Sequence, residues 1–138
     1  MKTMVWHLVC AFTVCVGLPL AQSHAEDNPT QGASLFAKHC RGCHGSAGQG
    51  SEPWYPNLRK VAGNQTPLAL AEVILTGQFR RGGELNGHTI PVMPSWHALS
   101  DQEVAHLVNF ILNTWGDPQG ATLTLEDVTA LRHNPTTN

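Results

Sequence analysis

Apolar residues recur at helical spacing in three stretches of the chain, and each stretch opens on a residue that caps helices. Asn28-Pro29 supplies an N-cap with proline in the first turn, after which Gly32, Leu35, Phe36, His39 and Cys40 fall at i, i+3, i+4, i+7 and i+8. Thr66-Pro67 repeats the cap and proline ahead of Leu70, Val73 and Ile74, and Gly77 stops that helix. Ser100 and Glu103 form a capping box for the longest run: Val104, Leu107, Val108, Ile111, Leu112 and Trp115, with Phe110 widening the apolar arc. His106, Asn109 and Asn113 fall on the opposite face, which the pattern predicts to be solvated. Past Gly116 the residues favour turns, and Thr124 with Asp127 opens a short helix to about Arg132. No repeat, strand alternation or low-complexity tract interrupts this, so the expectation is an all-α chain.

The first residues follow a different rule. Lys2 precedes an apolar run from about Met4 to Leu20, and Ser23-His24-Ala25 has the small-x-small form of a signal-peptidase site. Residues 1–25 therefore read as a cleaved secretory signal peptide, residues 26–116 as one domain and residues 117–138 as a C-terminal extension with a short helix. An uncleaved anchor is the competing reading, since the run approaches the ~20 residues that span a bilayer. His7, Pro19 and the cleavage site argue against it. Cleavage removes Cys10 and Cys15 and two of the three methionines, leaving Cys40, Cys43 and Met93. The remaining 113 residues (138 − 25) carry seven Lys and Arg against ten Asp and Glu, a net charge of −3. That balance gives no basis for nucleic-acid binding.

The chemistry lies in Cys40-Arg41-Gly42-Cys43-His44. C-x-x-C-H is the attachment signature of a c-type haem: two thiols one helical turn apart each add to a vinyl group, and the next residue turns its imidazole to the iron. A zinc site would need a second ligand pair, and a thioredoxin-like redox pair a βαβ setting. Neither is present in the sequence. At about 25 cal/mol per Å2, several hundred Å2 of porphyrin removed from water stabilises the holo form by on the order of 10 kcal/mol.

Met93 offers a soft, neutral thioether that favours ferrous iron, and Pro91 and Pro94 restrict the chain around it. His88 and His97 are rival sixth ligands that would give a lower potential; the favoured reading is that His88 belongs to a turn at Asn86-Gly87 and His97 to the approach to the last helix. His39, His106 and His133 read as surface residues, and Trp54, Trp96 and Trp115 as core or pocket aromatics.

With these residues in view, positions 30–116 resemble the class I monohaem cytochromes c. The resemblance rests on Gly32 and Phe36 facing Leu107 and Phe110, on Gly45 and Gly48-Gln49-Gly50 after the haem motif, on Tyr55-Pro56-Asn57-Leu58, and on Met93-Pro94-Ser95-Trp96. It implies a class I cytochrome c fold, helices packed around one covalently bound haem c, with His44 and Met93 on the iron. It also implies that the Pro56 carbonyl accepts the Nδ1 hydrogen of His44 and that Leu58 packs on the porphyrin.

The expected function is one-electron transfer in the periplasm rather than catalysis, as a shuttle or as the small subunit of an oxidoreductase. Partners would be a periplasmic dehydrogenase or reductase, or a membrane respiratory complex, with no stable membrane insertion after signal cleavage. They would dock near Cys43, Gly45 and Met93. Arg41, Arg59, Lys60, Arg80 and Arg81 read either as a positive rim there or as residues that are simply solvated or bind the propionates. The alternatives are a gas-binding protein with a displaceable Met93, and a peroxidase, although the familiar dihaem type needs a second C-x-x-C-H. The chain lacks the lysine abundance of mitochondrial-type members, and Thr124 to Arg132 resembles an extension of cytochrome subunits in bacterial periplasmic oxidoreductases.

Overall fold

A computed structural model describes residues 28–51, 55–85 and 88–134, with the backbone alone over 79–85 and 88–92. Residues 1–25, read above as a signal peptide, lie outside the described residues, as do Trp54 and Asn86-Gly87. The order is α1 (Pro29–His39), α2 (Arg41–His44), α3 (Leu58–Val61) with a 3-10 turn (Ala62–Asn64), α4 (Pro67–Thr76), β1 (Gln78–Leu85), β2 (His88–Met93), α5 (Asp101–Trp115) and α6 (Leu125–His133).

Every cap read from the sequence forms. Asn28 and Thr66 accept from the backbone N–H of Gln31 (3.1 Å) and Ala69 (3.2 Å). Ser100 and Glu103 close a reciprocal capping box on α5, as Thr124 and Asp127 do on α6. Such signals are local, and tertiary packing has no reason to override them.

α1 crosses α5 at Gly32. A Cβ there would stand 2.4 Å from the His106 carbonyl oxygen and 2.5 Å from Phe110 Cβ, so only glycine lets the backbones meet. Phe36 then packs on Phe110 and Trp115, with ring centroids 5.7 and 4.9 Å apart, and Leu107 is fully buried beneath. α4 lies against the other side of α5, contributing Leu70, Ala71, Ile74 and Leu75 to the same core.

Two features depart from the sequence reading. β1 and β2 form an antiparallel hairpin, pairing Gln78 with Met93 and Leu85 with His88, with register shifts between. The helical fold is otherwise as expected, and the hairpin is an insertion between α4 and α5. Second, the solvated face expected of α5 is buried: His106 is 2% exposed and Asn109 4%. The extension covers it. Asn109 donates from Nδ2 to the Leu123 carbonyl (3.0 Å) and accepts from the Leu123 N–H (2.9 Å), while Leu123, Val128 and Leu131 join the core. Asn113 remains exposed, as does His133.

α6 is fastened at a second point. Thr129 donates to Asp101 Oδ2 (2.5 Å), and Arg132 Nε lies 2.5 Å from Asp101 Oδ1. These contacts, the Thr129 hydroxyl foremost, hold the Asp101 carboxyl below its ordinary pKa of 3.8; burial opposes them, and the Arg132 guanidinium adds to the lowering.

Gly32→Ala should destabilise the holo-protein by about 1–3 kcal/mol in guanidinium titrations, the range for overpacking a tight contact. Asp101 with a depressed folded-state pKa stabilises above its unfolded pKa, and that contribution is lost as pH falls through the folded value. Asp101→Asn should therefore melt below wild type at pH 7, and the two melting temperatures should converge as pH drops below about 4. A gap that persists at acid pH would show that the carboxylate charge is not the source of the difference.

Candidate functional site

The C-x-x-C-H segment is held by the end of α1. The Cys40 N–H bonds the Phe36 carbonyl (2.9 Å), and the His44 N–H turns back to the Cys40 carbonyl (2.9 Å), making α2 one tight turn. Cys40 is buried at 7% exposure and Cys43 is exposed, so the two thiols stand at the inner and outer rim of the same turn. Burial, helped by the neighbouring Cys43 charge, pushes the Cys40 thiol up to about 11. That is opposite to the lowered pKa that activates a redox CxxC pair.

His44 is buried, and its imidazole is oriented from outside the motif. After α2 the chain loops back, with the Gly50 N–H on the His44 carbonyl and the Leu58 N–H on the Gly48 carbonyl, both 2.8 Å. This return brings the Pro56 carbonyl oxygen to 3.1 Å from His44 Nδ1. Proline has no N–H, but its carbonyl is a full acceptor. With Nδ1 donating there, Nε2 is the nitrogen that keeps its lone pair.

Met93 arrives from another direction, at the end of β2. Gly77, at φ +75, ends α4 opposite it; a Cβ on Gly77 would lie 2.5 Å from the Met93 carbonyl oxygen. Beyond Met93 the chain ties to the last turn of α4: the Trp96 N–H bonds the Ile74 carbonyl (2.9 Å) and Ser95 Oγ the Leu75 carbonyl (2.5 Å).

These elements surround two adjoining cavities of about 240 and 140 Å3. Cys40, His44, Pro56, Gln78 and Met93 line both. The larger is also lined by Leu58, Leu70, Val73, Ile74 and Ile111, and the smaller by Cys43, His39 and Trp96. All six residues singled out in the sequence thus meet at one cleft. Tyr55, from the same motif as Pro56, lines the smaller cavity, and Gln78 is a lining residue that the sequence does not single out; a polar residue beside a stop glycine carries no signal of its own.

The rival histidines stand apart. His88 begins β2 at the turn end of the hairpin, five residues from Met93, roughly 17 Å at 3.4 Å per strand residue. His97 is exposed, with Nδ1 3.2 Å from Ser95 Oγ. His39, expected at the surface, is half-buried against the Trp96 ring (4.6 Å between centroids), and desolvation together with Lys38 lowers its pKa. Arg41, Arg59 and Lys60 are exposed, whereas the side chains of Arg80 and Arg81 lie outside the described residues. Among those residues no helix is long and apolar enough to cross a membrane.

An apolar cleft rimmed by two cysteines, with an oriented imidazole and a thioether converging on it, defines a covalent haem protein. The family model for cytochrome c matches residues 29–115, and the chain belongs to the cytochrome c family, which carries covalently bound haem c and transfers electrons. It is 33% identical to cytochrome c-552 of Thermus thermophilus, over 88% of this chain and 83% of that one. It is also 35% identical to the cytochrome c subunit of gluconate 2-dehydrogenase from Pantoea cypripedii, over 80% of this chain. A third relative is the cytochrome c subunit of a quinone alcohol dehydrogenase from Gluconacetobacter polyoxogenes, 32% identical over 73% of this chain. The chain spans only 26% and 22% of the lengths of these two dehydrogenase subunits. The cleft suits the group: its walls are apolar, its thiols lie on one turn, and the His44 imidazole and Met93 thioether reach it from two separate elements.

Gly77→Ala should strain the backbone and displace the Met93 carbonyl, costing about 1–3 kcal/mol. Its reduction potential should shift more than that of an equally destabilising Gly32→Ala, which protein-film voltammetry on both variants would read.

Proposed function

We propose that the protein is a one-electron carrier of the bacterial periplasm, with Cys40 and Cys43 as the thioether anchors and His44 and Met93 as the iron ligands. Haem c, when bound, supplies a one-electron couple. The chain sets its properties. The Pro56 carbonyl holds the His44 ring in one tautomer and orientation and raises its basicity. Met93, as a soft neutral donor, stabilises the ferrous state, and so raises the potential above that of a two-imidazole site. Leu58, Leu70, Ile74 and Ile111 keep water from the inner face, which favours the less charged oxidation state. Exposed Cys43 lies where a partner would approach.

One convergence carries this reading: the C-x-x-C-H turn and the end of β2 line the same apolar cavity. Ligands from two rigidly joined elements suit electron transfer, because neither side needs to move on reduction. We further assign residues 1–25 to a removable signal, 26–116 to the haem domain and 117–138 to an extension of it. The names of the relatives support a periplasmic dehydrogenase as redox partner, met either as a diffusing shuttle or as a bound small subunit.

The ferric absorption spectrum of periplasmically matured protein should show the weak far-red band of a thioether sulfur on low-spin iron, and Met93→Ala should abolish it. Carbon monoxide should bind the ferrous variant and leave the ferrous wild type unchanged at neutral pH. A wild type that lacks the band and binds carbon monoxide freely would reverse the assignment in favour of ligand sensing.

A further inference from the structure

We propose that Arg132 is a positioning residue for the methionine side of the haem, acting from the C-terminal helix through the turn at 97–99. The inference rests on the assignment of Met93 as iron ligand. Arg132 Nη1 donates to the His97 carbonyl at 2.9 Å, Nη2 donates to the Leu99 carbonyl, and Nε faces Asp101 Oδ1 at 2.5 Å. One planar guanidinium therefore ties two backbone carbonyls of the post-methionine turn to the first residue of α5. A lysine, as a point charge, could not satisfy the three directions together.

The position of the clamp gives it a role beyond docking a helix. Between Met93 and α5 the chain runs through Pro94-Ser95-Trp96-His97-Ala98-Leu99 without regular structure. Its first half is fastened to α4 through Ser95 Oγ and the Trp96 N–H. In its second half, a bond from the Leu99 N–H to the Trp96 carbonyl (3.0 Å) makes a tight turn. The carbonyls on the far side of that turn are the two that Arg132 holds. α6 is itself locked to α5 by Thr129 on Asp101 and by burial of Val128 and Leu131. The clamp is thus anchored at its own base, and a shift of the turn has to break charge-assisted bonds on both carbonyls at once. Removing Arg132 frees the turn, and with it the segment that presents Met93 to the cavity.

The test uses mature holo-protein as wild type, Arg132→Met, Arg132→Lys and Thr129→Val, the last weakening α6 docking without touching the loop carbonyls. Two readouts are taken: amide hydrogen exchange at Trp96 and Leu99 against Leu107 and Val108 in α5, and the affinity of ferric protein for added imidazole. Imidazole affinity scales with the fraction of time the sixth ligand is off the iron. Arg132→Met should speed exchange at Trp96 and Leu99 about tenfold with α5 unchanged, and tighten imidazole binding by a similar factor. Arg132→Lys should fall between, and Thr129→Val should resemble wild type in both. Equal acceleration of the loop and α5 amides in Arg132→Met would reduce the residue to general stability and overturn the proposal, as would an unchanged loop. If wild type and Met93→Ala bind imidazole equally well, the assignment of Met93 fails; loop exchange then decides alone whether Arg132 clamps this turn.

Discussion

The rest of the structure depends on a core that does not close on itself. The cavity of about 240 Å3 beside His44 opens to solvent between the apolar walls Leu58, Leu70, Val73, Ile74 and Ile111, and apolar surface left in water forgoes about 25 cal/mol per Å2 of burial. A domain of this size has only ~5–15 kcal/mol of net stability. The apolar residues around the cavity would therefore be a serious liability in a protein meant to fold without a cofactor. They make sense as walls for a large flat apolar group, and covalent attachment, which we assign to Cys40 and Cys43, keeps that group from leaving. Folding and haem retention become one equilibrium.

Around that cavity the elements divide into a frame and a carrier. α1 and α5 form the frame, drawn together at Gly32 and fixed by Phe36, Phe110 and Trp115. Because Cys40 continues directly from α1, the attachment turn inherits the position of the frame with no intervening loop. The carrier is the run from Gly77 through the hairpin to Leu99, which brings Met93 back to the cavity. The Gly77 and Trp96 N–H groups tie it to the Val73 and Ile74 carbonyls of α4, and the stretch between them forms β1 and β2.

What could be read from the sequence follows the same division. The caps at Asn28, Thr66, Ser100 and Thr124 and the C-x-x-C-H turn depend on residues within four positions of one another, and each forms where the sequence places it. The hairpin was missed although Asn86-Gly87 is a favoured two-residue turn. Gly82-Gly83 and Pro91 break the alternation that would have marked its strands. Burial of His106 and Asn109 was missed for a different reason. A helix with one apolar stripe looks one-sided, and at Asn109 the cover comes from Leu123 in the extension. Asn109 could have given a hint, as a side chain with both donor and acceptor can clasp one backbone residue, but nothing nearby identifies Leu123 as its mate.

With His44 and Met93 as the proposed ligands, the two sides of the iron are built on different principles. His44 is held by short-range order: a helical turn, a return loop of glycines and one carbonyl twelve residues on. Met93 sits on a segment with no helix of its own, and its placement is borrowed from α4 on one flank and from the extension on the other. Electron transfer needs both ligands equally still, since motion on either side adds to the reorganisation that each transfer must overcome. A rigid proximal turn alone does not meet that need. This gives the C-terminal extension a physical reason to pack where it does: Arg132, Asp101 and Asn109 join it to α5 and to the post-methionine turn. The extension thereby completes the frame on the side that the short helices leave open.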